Sequence, residues 1–271
     1  MGLVYFGDHL HDAGLIVFDK DGTLFDFNAS WRPIFLLAVD QLLSQIPHQA
    51  GLHTALCSAL GYDTAAGAFN ENGPFATATS EVTVHAASTV LSQYADPQIP
   101  SSACEQLVRQ EFAPLLANSV NLTPVTDLAS FLALLHEDGV KIALITSDDS
   151  GPTKAVLKHF RLTRFFDFIA CGDSSYRAKP APDALQAASA QLGVPLSHTA
   201  VVGDSVTDLR MAHAAGAALA VGVLTGVGNH DSLSAAADLI LESIALIQVP
   251  PTQRGEQTGA PARSSDLPDE R

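Results

Sequence analysis

The sequence predicts an α/β protein: a parallel sheet flanked by helices, with an all-helical segment inserted into it. Two observations carry this expectation. Past residue 121, short apolar runs alternate with helical patterns, the rhythm of βαβ units whose sheet is covered on both faces. From residue 27 to 121 only helical spacing is visible, yet an apolar strand, Leu15–Phe18 (LIVF), stands ahead of that stretch. One strand before the helical stretch and the rest after it make a single domain with an insert. The expected organisation is a core of residues 1–26 and 122–249, an inserted helical domain of 27–121, and a disordered tail of 250–271. That tail is rich in Pro, Gly, Ser, Thr and charge, with almost no apolar side chains to bury.

Each element has its own signal. In the insert, Trp31–Ile46 places Ile34, Leu37, Ala38 and Leu42 at helical spacing. Further helical patterns lie around Leu52–Leu60, Val82–Tyr94 and Cys104–Leu116, separated by Gly73-Pro74 and by Pro97 to Pro100. Beyond the insert the reading is Val125–Glu137 helix, Lys141–Ile145 strand, and Lys154–Phe160 helix with Pro152 near its start. Then follow Phe168–Ala170 strand, Asp183–Leu192 helix, Ala200–Val202 strand and Asp208–Ala215 helix. Ala218–Val223 strand, Leu233–Ala237 helix and Leu239–Leu241 strand complete the series.

Composition narrows the function. The 271 residues are 47% hydrophobic, enough for a sizeable core. Lys plus Arg is 14 against 29 Asp plus Glu, a net charge of −15, which repels phosphate backbones and makes nucleic acid an unfavourable partner. Cys57, Cys104 and Cys171 are scattered, with neither metal-ligand nor disulfide spacing, as expected in a reducing cytoplasm. The first residues carry no basic region before an apolar block, and the short, glycine-punctuated run Ala214–Gly228 does not read as a membrane span.

Ligands of open parallel sheets bind beyond the carboxyl ends of the strands. Here those ends carry chemistry. LIVF is followed by Asp19-Lys20-Asp21-Gly22-Thr23, KIALI by Thr146-Ser147-Asp148-Asp149, FIACGD by a segment reaching Lys179-Pro180, and AVV by Gly203-Asp204-Ser205-Val206-Thr207-Asp208. Charged groups are costly to bury unless paired. This inventory suits Mg²⁺-dependent phosphoryl transfer: hard oxygen ligands for the cation, a carboxylate nucleophile, a second carboxylate two residues on for proton transfer, and a lysine and hydroxyl to neutralise a phosphate. Asp19 and Asp204 are the expected Mg²⁺ ligands. Competing readings exist for some positions: Asp204 as a helix N-cap, and Asp148 and Asp149 as caps of the helix near Pro152.

DxDGT, a hydroxyl ending an apolar strand, Lys-Pro and GDxxxD, in that order, resemble the haloacid dehalogenase (HAD) superfamily over residues 15 to about 245. The resemblance implies a Rossmann-like core with strand order near 5-4-1-2-3. It implies Asp19 as nucleophile, Asp21 as acid/base and backbone-carbonyl Mg²⁺ ligand, and Thr146 as phosphate-binding hydroxyl. Lys179 is implied as the phosphate lysine, Asp204 as a Mg²⁺ ligand, and Asp208 as a group that orients metal-bound water or the lysine, or ligates directly. Ser147 is the candidate for a second phosphate contact. The insert lies between the first and second motifs, where the superfamily's helical C1 caps sit, as in phosphoglycolate phosphatases and β-phosphoglucomutases. The cap holds only Arg32 and Arg109 as cations against Asp40, Asp63, Glu71, Glu81, Asp96, Glu105 and Glu111. Arg32, beside Trp31, is the expected contact for a substrate carboxylate or second phosphate, with a rim ion pair as its equal alternative. The expectation is a cytoplasmic Mg²⁺-dependent phosphatase of a small phosphorylated metabolite, phosphoglycolate first, acting as a monomer or homodimer without membrane or nucleic acid. The alternatives are a β-phosphoglucomutase-type mutase and a non-catalytic binding protein on the same scaffold.

Overall fold

The computed structural model describes residues 2–112, 114 and 121–250; the expected tail therefore lies outside the described residues except for Pro250. The chain opens with β1 (Gly2–Phe6), β2 (His9–Ala13) and β3 (Leu15–Phe18). β3 is the centre of a six-stranded parallel sheet. It pairs on one side with β6 (Lys141–Ile145) and on the other with β8 (Thr199–Gly203). β7 (Phe168–Ala170) lies outside β6, while β9 (Leu219–Val223) and β10 (Leu239–Leu241) extend the sheet beyond β8. Numbered within this sheet alone, the order is 6-5-4-1-2-3, the implied 5-4-1-2-3 with one strand added at the edge.

All four β3 side chains are at most 1% exposed. Alternate strand residues point to opposite faces, so Leu15 and Val17 pack with Leu185, Val201 and Leu209 on one face, and Ile16 and Phe18 with Leu132, Leu144 and Val202 on the other. Burial on both faces is why LIVF is a continuous apolar run rather than an alternating one. The register sets Phe18 opposite Leu144 and Val202. The strands therefore end nearly level, and the residues that follow them, Asp19, Thr146 and Asp204, emerge side by side.

The insert leaves and rejoins the sheet through one narrow stem. Phe25 bridges to both Asp21 and Pro124. The Asp26 N–H donates to Thr123 O at 2.9 Å and the Val125 N–H to Leu24 O at 3.1 Å. The Asp26 carboxylate then accepts from Ala29 N–H and caps α1 (Phe27–Ser44). α2 (Leu52–Ala59), α3 (Pro74–Thr77), α4 (Ser80–Tyr94) and α5 (Ser101–Leu107) follow, the last running into a π-helical turn over Val108–Phe112. The insert is helical apart from one short ladder, β4 (Tyr62–Asp63) with β5 (Ala68–Phe69). Phe27, Trp31, Phe35, Phe69 and Phe75 form its aromatic centre, with Phe69 and Phe75 stacked at 5.0 Å.

Past the stem the core helices are α6 (Leu128–Glu137), α7 (Ser150–His159), α8 (Asp183–Leu192), α9 (Val206–Ala215) and α10 (His230–Ser234). Residues 2–13, to which the sequence reading assigned no element, form the β1–β2 hairpin, which pairs with β11 (Ile247–Gln248) as a small antiparallel sheet. In β1 exposure alternates but polarity does not: Val4 and Phe6 are buried, while Leu3 and Tyr5 face solvent. A pattern search sees only an apolar run there. Among the described residues no helix is long and apolar enough to cross a membrane.

Asp167, in the loop before β7, ties this face of the core together. Its carboxylate accepts from the Ile142 N–H at 3.0 Å and from Lys141 Nζ at 3.0 Å, and lies 3.2 Å from His136 Nε2. Burial works to raise its pKa, but these partners outweigh burial and hold it below the usual 3.8. Asp167→Asn should lower the unfolding free energy at pH 7 by about 1.5–3 kcal/mol in urea titrations. A depressed native pKa contributes stability that is complete above about pH 4 and fades as the pH falls through the native value. The gap between the two proteins should therefore close on acidification below about pH 4.

Candidate active site

Six carboxylates and one lysine line a cavity of about 360 Å³ between the sheet's carboxyl edge and the insert: Asp19, Asp21, Asp148, Asp149, Asp204, Asp208 and Lys179. At its floor, Lys179 Nζ donates to Asp19 Oδ1 and to Asp208 Oδ1, both at 2.6 Å. Asp19 and Lys179 are 160 positions apart in sequence. Carboxylate oxygens of Asp19, Asp204 and Asp208 lie within 4.8 Å of one another. Burial, only partly offset by Lys179, pushes the Asp19 carboxyl up to about 7. Burial, aided by repulsion from Asp19 and Asp208, also holds the Asp204 carboxyl well above the usual carboxylate range. Lys179 is itself buried, which works to lower its pKa, but Asp19 and Asp208 outweigh that and keep it charged.

Local structure fixes each group. The N-cap of α9 is Ser205, whose hydroxyl and N–H both engage Asp208 in a capping box. This leaves Asp204 free of the capping role that the sequence allowed it. Its Oδ2 accepts the Val227 N–H at 2.9 Å, and the loop after β9 wraps it closely. A Cβ on Gly226 would stand 1.8 Å from Asp204 Oδ2. Gly22, at φ +84°, makes the turn after β3, and a side chain there would also strike Asp204. Thr225 closes the arrangement by donating its hydroxyl to Gly22 O at 2.7 Å. Thr146 is buried, and its Oγ1 accepts the Asp148 N–H at 3.2 Å, so its own hydrogen is available to a ligand.

A second lysine carries a parallel network. Lys20 is 1% exposed and lies beneath the Trp31 ring, 5.7 Å from its centroid. Its Nζ reaches Asp21 Oδ2 at 2.5 Å and Asp148 Oδ2 at 2.8 Å. Burial works against its charge, but Asp148 and Asp21 outweigh it and raise the pKa above the usual lysine value. Burial also pushes the Asp21 carboxyl up to about 6, with Lys20 opposing. Asp21 Oδ1 is buried with no hydrogen-bond partner among the described residues.

The structure thus brings Asp19, Asp21, Thr146, Ser147, Lys179, Asp204 and Asp208 to one cavity. The carboxylate of Asp21 stands apart from the cluster of the other three, at the Lys20 end. Asp149 takes the N-cap position of α7, whereas Asp148 is the partner of Lys20 rather than a cap. Arg32 is exposed, stands beside Gly67 and does not line the cavity. Three participants escaped the sequence reading: Lys20 as a buried bridge, Trp31 as a cavity wall, and the Thr225–Gly228 loop. That loop had one readable signal, since Thr225-Gly226-Val227-Gly228 directly follows a core strand at its carboxyl end.

Comparison with known proteins gives the family and the fold. The family model of haloacid dehalogenase-like hydrolases matches residues 13–216, and the chain belongs to that family. It is 32% identical over 206 residues to the phosphoglycolate phosphatase of Pseudomonas syringae pv. tomato, covering 75% of this chain and 67% of that one. It is 37% identical over 116 residues to the phosphoglycolate phosphatase of Neisseria meningitidis, covering 43% and 49%. The chain spans about half the length of the Neisseria relatives it matches. Among solved structures, a predicted phosphoglycolate phosphatase of Haemophilus somnus superposes with a TM-score of 0.66 at 20% identity, over 86% of this chain and 96% of that one. A HAD family hydrolase of Deinococcus radiodurans with bound phosphate and sodium gives 0.60 at 23% identity, over 86% and 93%. At these identities the structural likeness speaks for the fold.

The Lys20 bridge has a measurable signature. Lys20→Met leaves two carboxylates facing each other without their cation and should cost about 3–5 kcal/mol in urea unfolding. Adding Asp148→Asn to that variant should recover part of the loss. A double variant as unstable as the single would show that packing around the lysine, not its charge, matters there.

Proposed function

We propose that this protein is a Mg²⁺-dependent phosphatase of small phosphomonoesters that works through an aspartyl-phosphate intermediate on Asp19. The observation that carries the reading is the cluster in which Lys179 bridges Asp19 and Asp208 while Asp204 stands within 4.8 Å with a single backbone donor. Three carboxylates against one lysine leave an excess of two negative charges in a buried space, and a divalent cation suits that excess. Asp19 and Asp204 would hold Mg²⁺, together with the Asp21 backbone carbonyl. Both oxygens of Asp208 already take protein donors, which fits it better to orienting Lys179. When bound, Mg²⁺ supplies charge neutralisation for the incoming phosphate dianion.

The protein's own groups then divide the work. Lys179, together with the hydroxyls of Thr146 and Ser147, receives the phosphoryl oxygens. An Asp19 oxygen attacks phosphorus in line with the ester oxygen, and the P–O bond to the leaving alcohol breaks. Asp21, whose carboxyl titrates near neutral pH, gives its proton to the departing oxygen and later takes one from the water that attacks the aspartyl phosphate. Residues 27–121 act as the cap that closes over these steps and excludes bulk water. The names of the relatives place phosphoglycolate first among the esters to test.

Phosphate release from a panel of phosphomonoesters, with Mg²⁺ and with EDTA, tests the reading. Release should require the metal, and Asp19→Asn should lose at least about three orders of magnitude in kcat on every ester. A substantial residual rate in that variant would rule out the covalent route. Metal binding carries its own pH dependence. Because the Asp19 and Asp204 carboxyls bind protons well above the usual range without a cation, ligation must displace them. Titration calorimetry should find Mg²⁺ affinity rising from about pH 6 to pH 8, with proton release seen as a dependence on buffer ionisation enthalpy.

A further inference from the structure

The cap wall of the cavity has a chemistry of its own. It is built by Phe27, Trp31, Phe75, Val84 and Phe112, all apolar and four of them aromatic. Among the described residues no cap cation reaches it. Arg109 is held on the outer surface by Glu81 at 2.6 Å and Glu105 at 2.9 Å, and Arg32 is exposed beside Gly67. The cap residues outside the described set, 113 and 115–120, contain no Lys or Arg either.

Two threonines complete the wall, and both have committed their hydrogens. Thr77 Oγ1 donates to Gly73 O at 3.1 Å and Thr83 Oγ1 to Thr79 O at 3.3 Å. What they offer a ligand is lone pairs. The core side of the cavity adds Asp148 and Asp149. A carboxylate on the leaving group would therefore meet rings whose one polar hydrogen is the Trp31 indole N–H beside Asp21, hydroxyl acceptors and other carboxylates, with Lys179 already engaged at the phosphoryl end. A desolvated anion without donors is costly. A cavity of about 360 Å³ is also in the range that encloses a ring-sized ligand rather than a two-carbon acid.

We infer that the leaving group is an uncharged alcohol with an apolar, ring-sized body, recognised by the Phe27–Trp31–Phe75–Val84–Phe112 wall, and that esters bearing a carboxylate are disfavoured. The inference rests on the phosphomonoesterase reading above and names its substrate class. It runs against the substrate that the relatives' names suggest. Hydroxyl groups on the ring are compatible with it, since Thr77 and Thr83 accept hydrogen bonds.

Three probes decide the matter: benzyl phosphate, uncharged beyond its phosphate; phosphoglycolate, carrying a carboxylate; and choline phosphate, carrying a cation. Dissociation constants are measured by calorimetry on full-length Asp19→Asn with Mg²⁺, and kcat/KM on the wild type. Benzyl phosphate should show a dissociation constant about tenfold or more lower, and a kcat/KM about tenfold or more higher, than each of the others. Equal or better binding of phosphoglycolate or choline phosphate would overturn the inference, as would failure of all three to bind. Binding in the expected order without turnover of any ester would sustain the inference and sink the phosphatase reading. A second variant supplies the missing cation. Thr77 is exposed at the cavity rim, so Thr77→Lys is tolerated by the fold and should shift the phosphoglycolate to benzyl phosphate ratio about tenfold towards phosphoglycolate. An unchanged ratio would mean that the leaving group does not contact this wall.

Discussion

The site depends on how buried negative charge is balanced at the carboxyl ends of β3, β6 and β8. Six aspartates meet there, and each resists losing its water. Two lysines hold four of them in two pairs: Lys179 between Asp19 and Asp208, Lys20 between Asp21 and Asp148. Asp204 is left with one backbone N–H. The division gives Asp19 and Asp21 different cationic partners, although only Lys20 stands between them in sequence. Burial raises both carboxyls, to about 7 at Asp19 and about 6 at Asp21, and a different lysine opposes it at each.

The rest of the architecture serves that balance. The parallel sheet brings three strand ends level, so residues far apart in sequence share one small space. The Thr225–Gly228 loop grips Asp204 so tightly that glycine alone fits at 226. Trp31 links the two halves, covering Lys20 on one side and facing the cavity on the other. The paired stem at Phe25 and Pro124 anchors the helical insert immediately beside the Asp21 turn. On the insert side the cavity is lined by aromatic side chains supported by a second layer, Phe35 and Phe69.

Much of this was legible beforehand, and for identifiable reasons. LIVF and KIALI are apolar because both faces of their strands are covered, and the run of carboxylates and hydroxyls directly behind them pointed to a ligand site. Order along the chain then told which strand carried which group. Lys20 was harder. A lysine beside two aspartates reads as an ordinary surface residue, and only the fold shows that Asp148, from the next strand, closes over it. Arg32 was misleading for the opposite reason. Its helix places Trp31 towards the cavity, and adjacent helical positions point about 100° apart, so the arginine faces solvent.

By itself, the sequence determined the parallel α/β core, the position of the insert, and the identity of the strand-end groups, because hydrophobic periodicity and short motifs are local properties of the chain. Only the tertiary structure decided how those groups pair, that residues 2–13 join Ile247–Gln248 in a separate sheet, and that the cap presents rings rather than cations. Those outcomes depend on contacts between segments distant in sequence, and on which face of a helix or strand is left uncovered once everything else has packed.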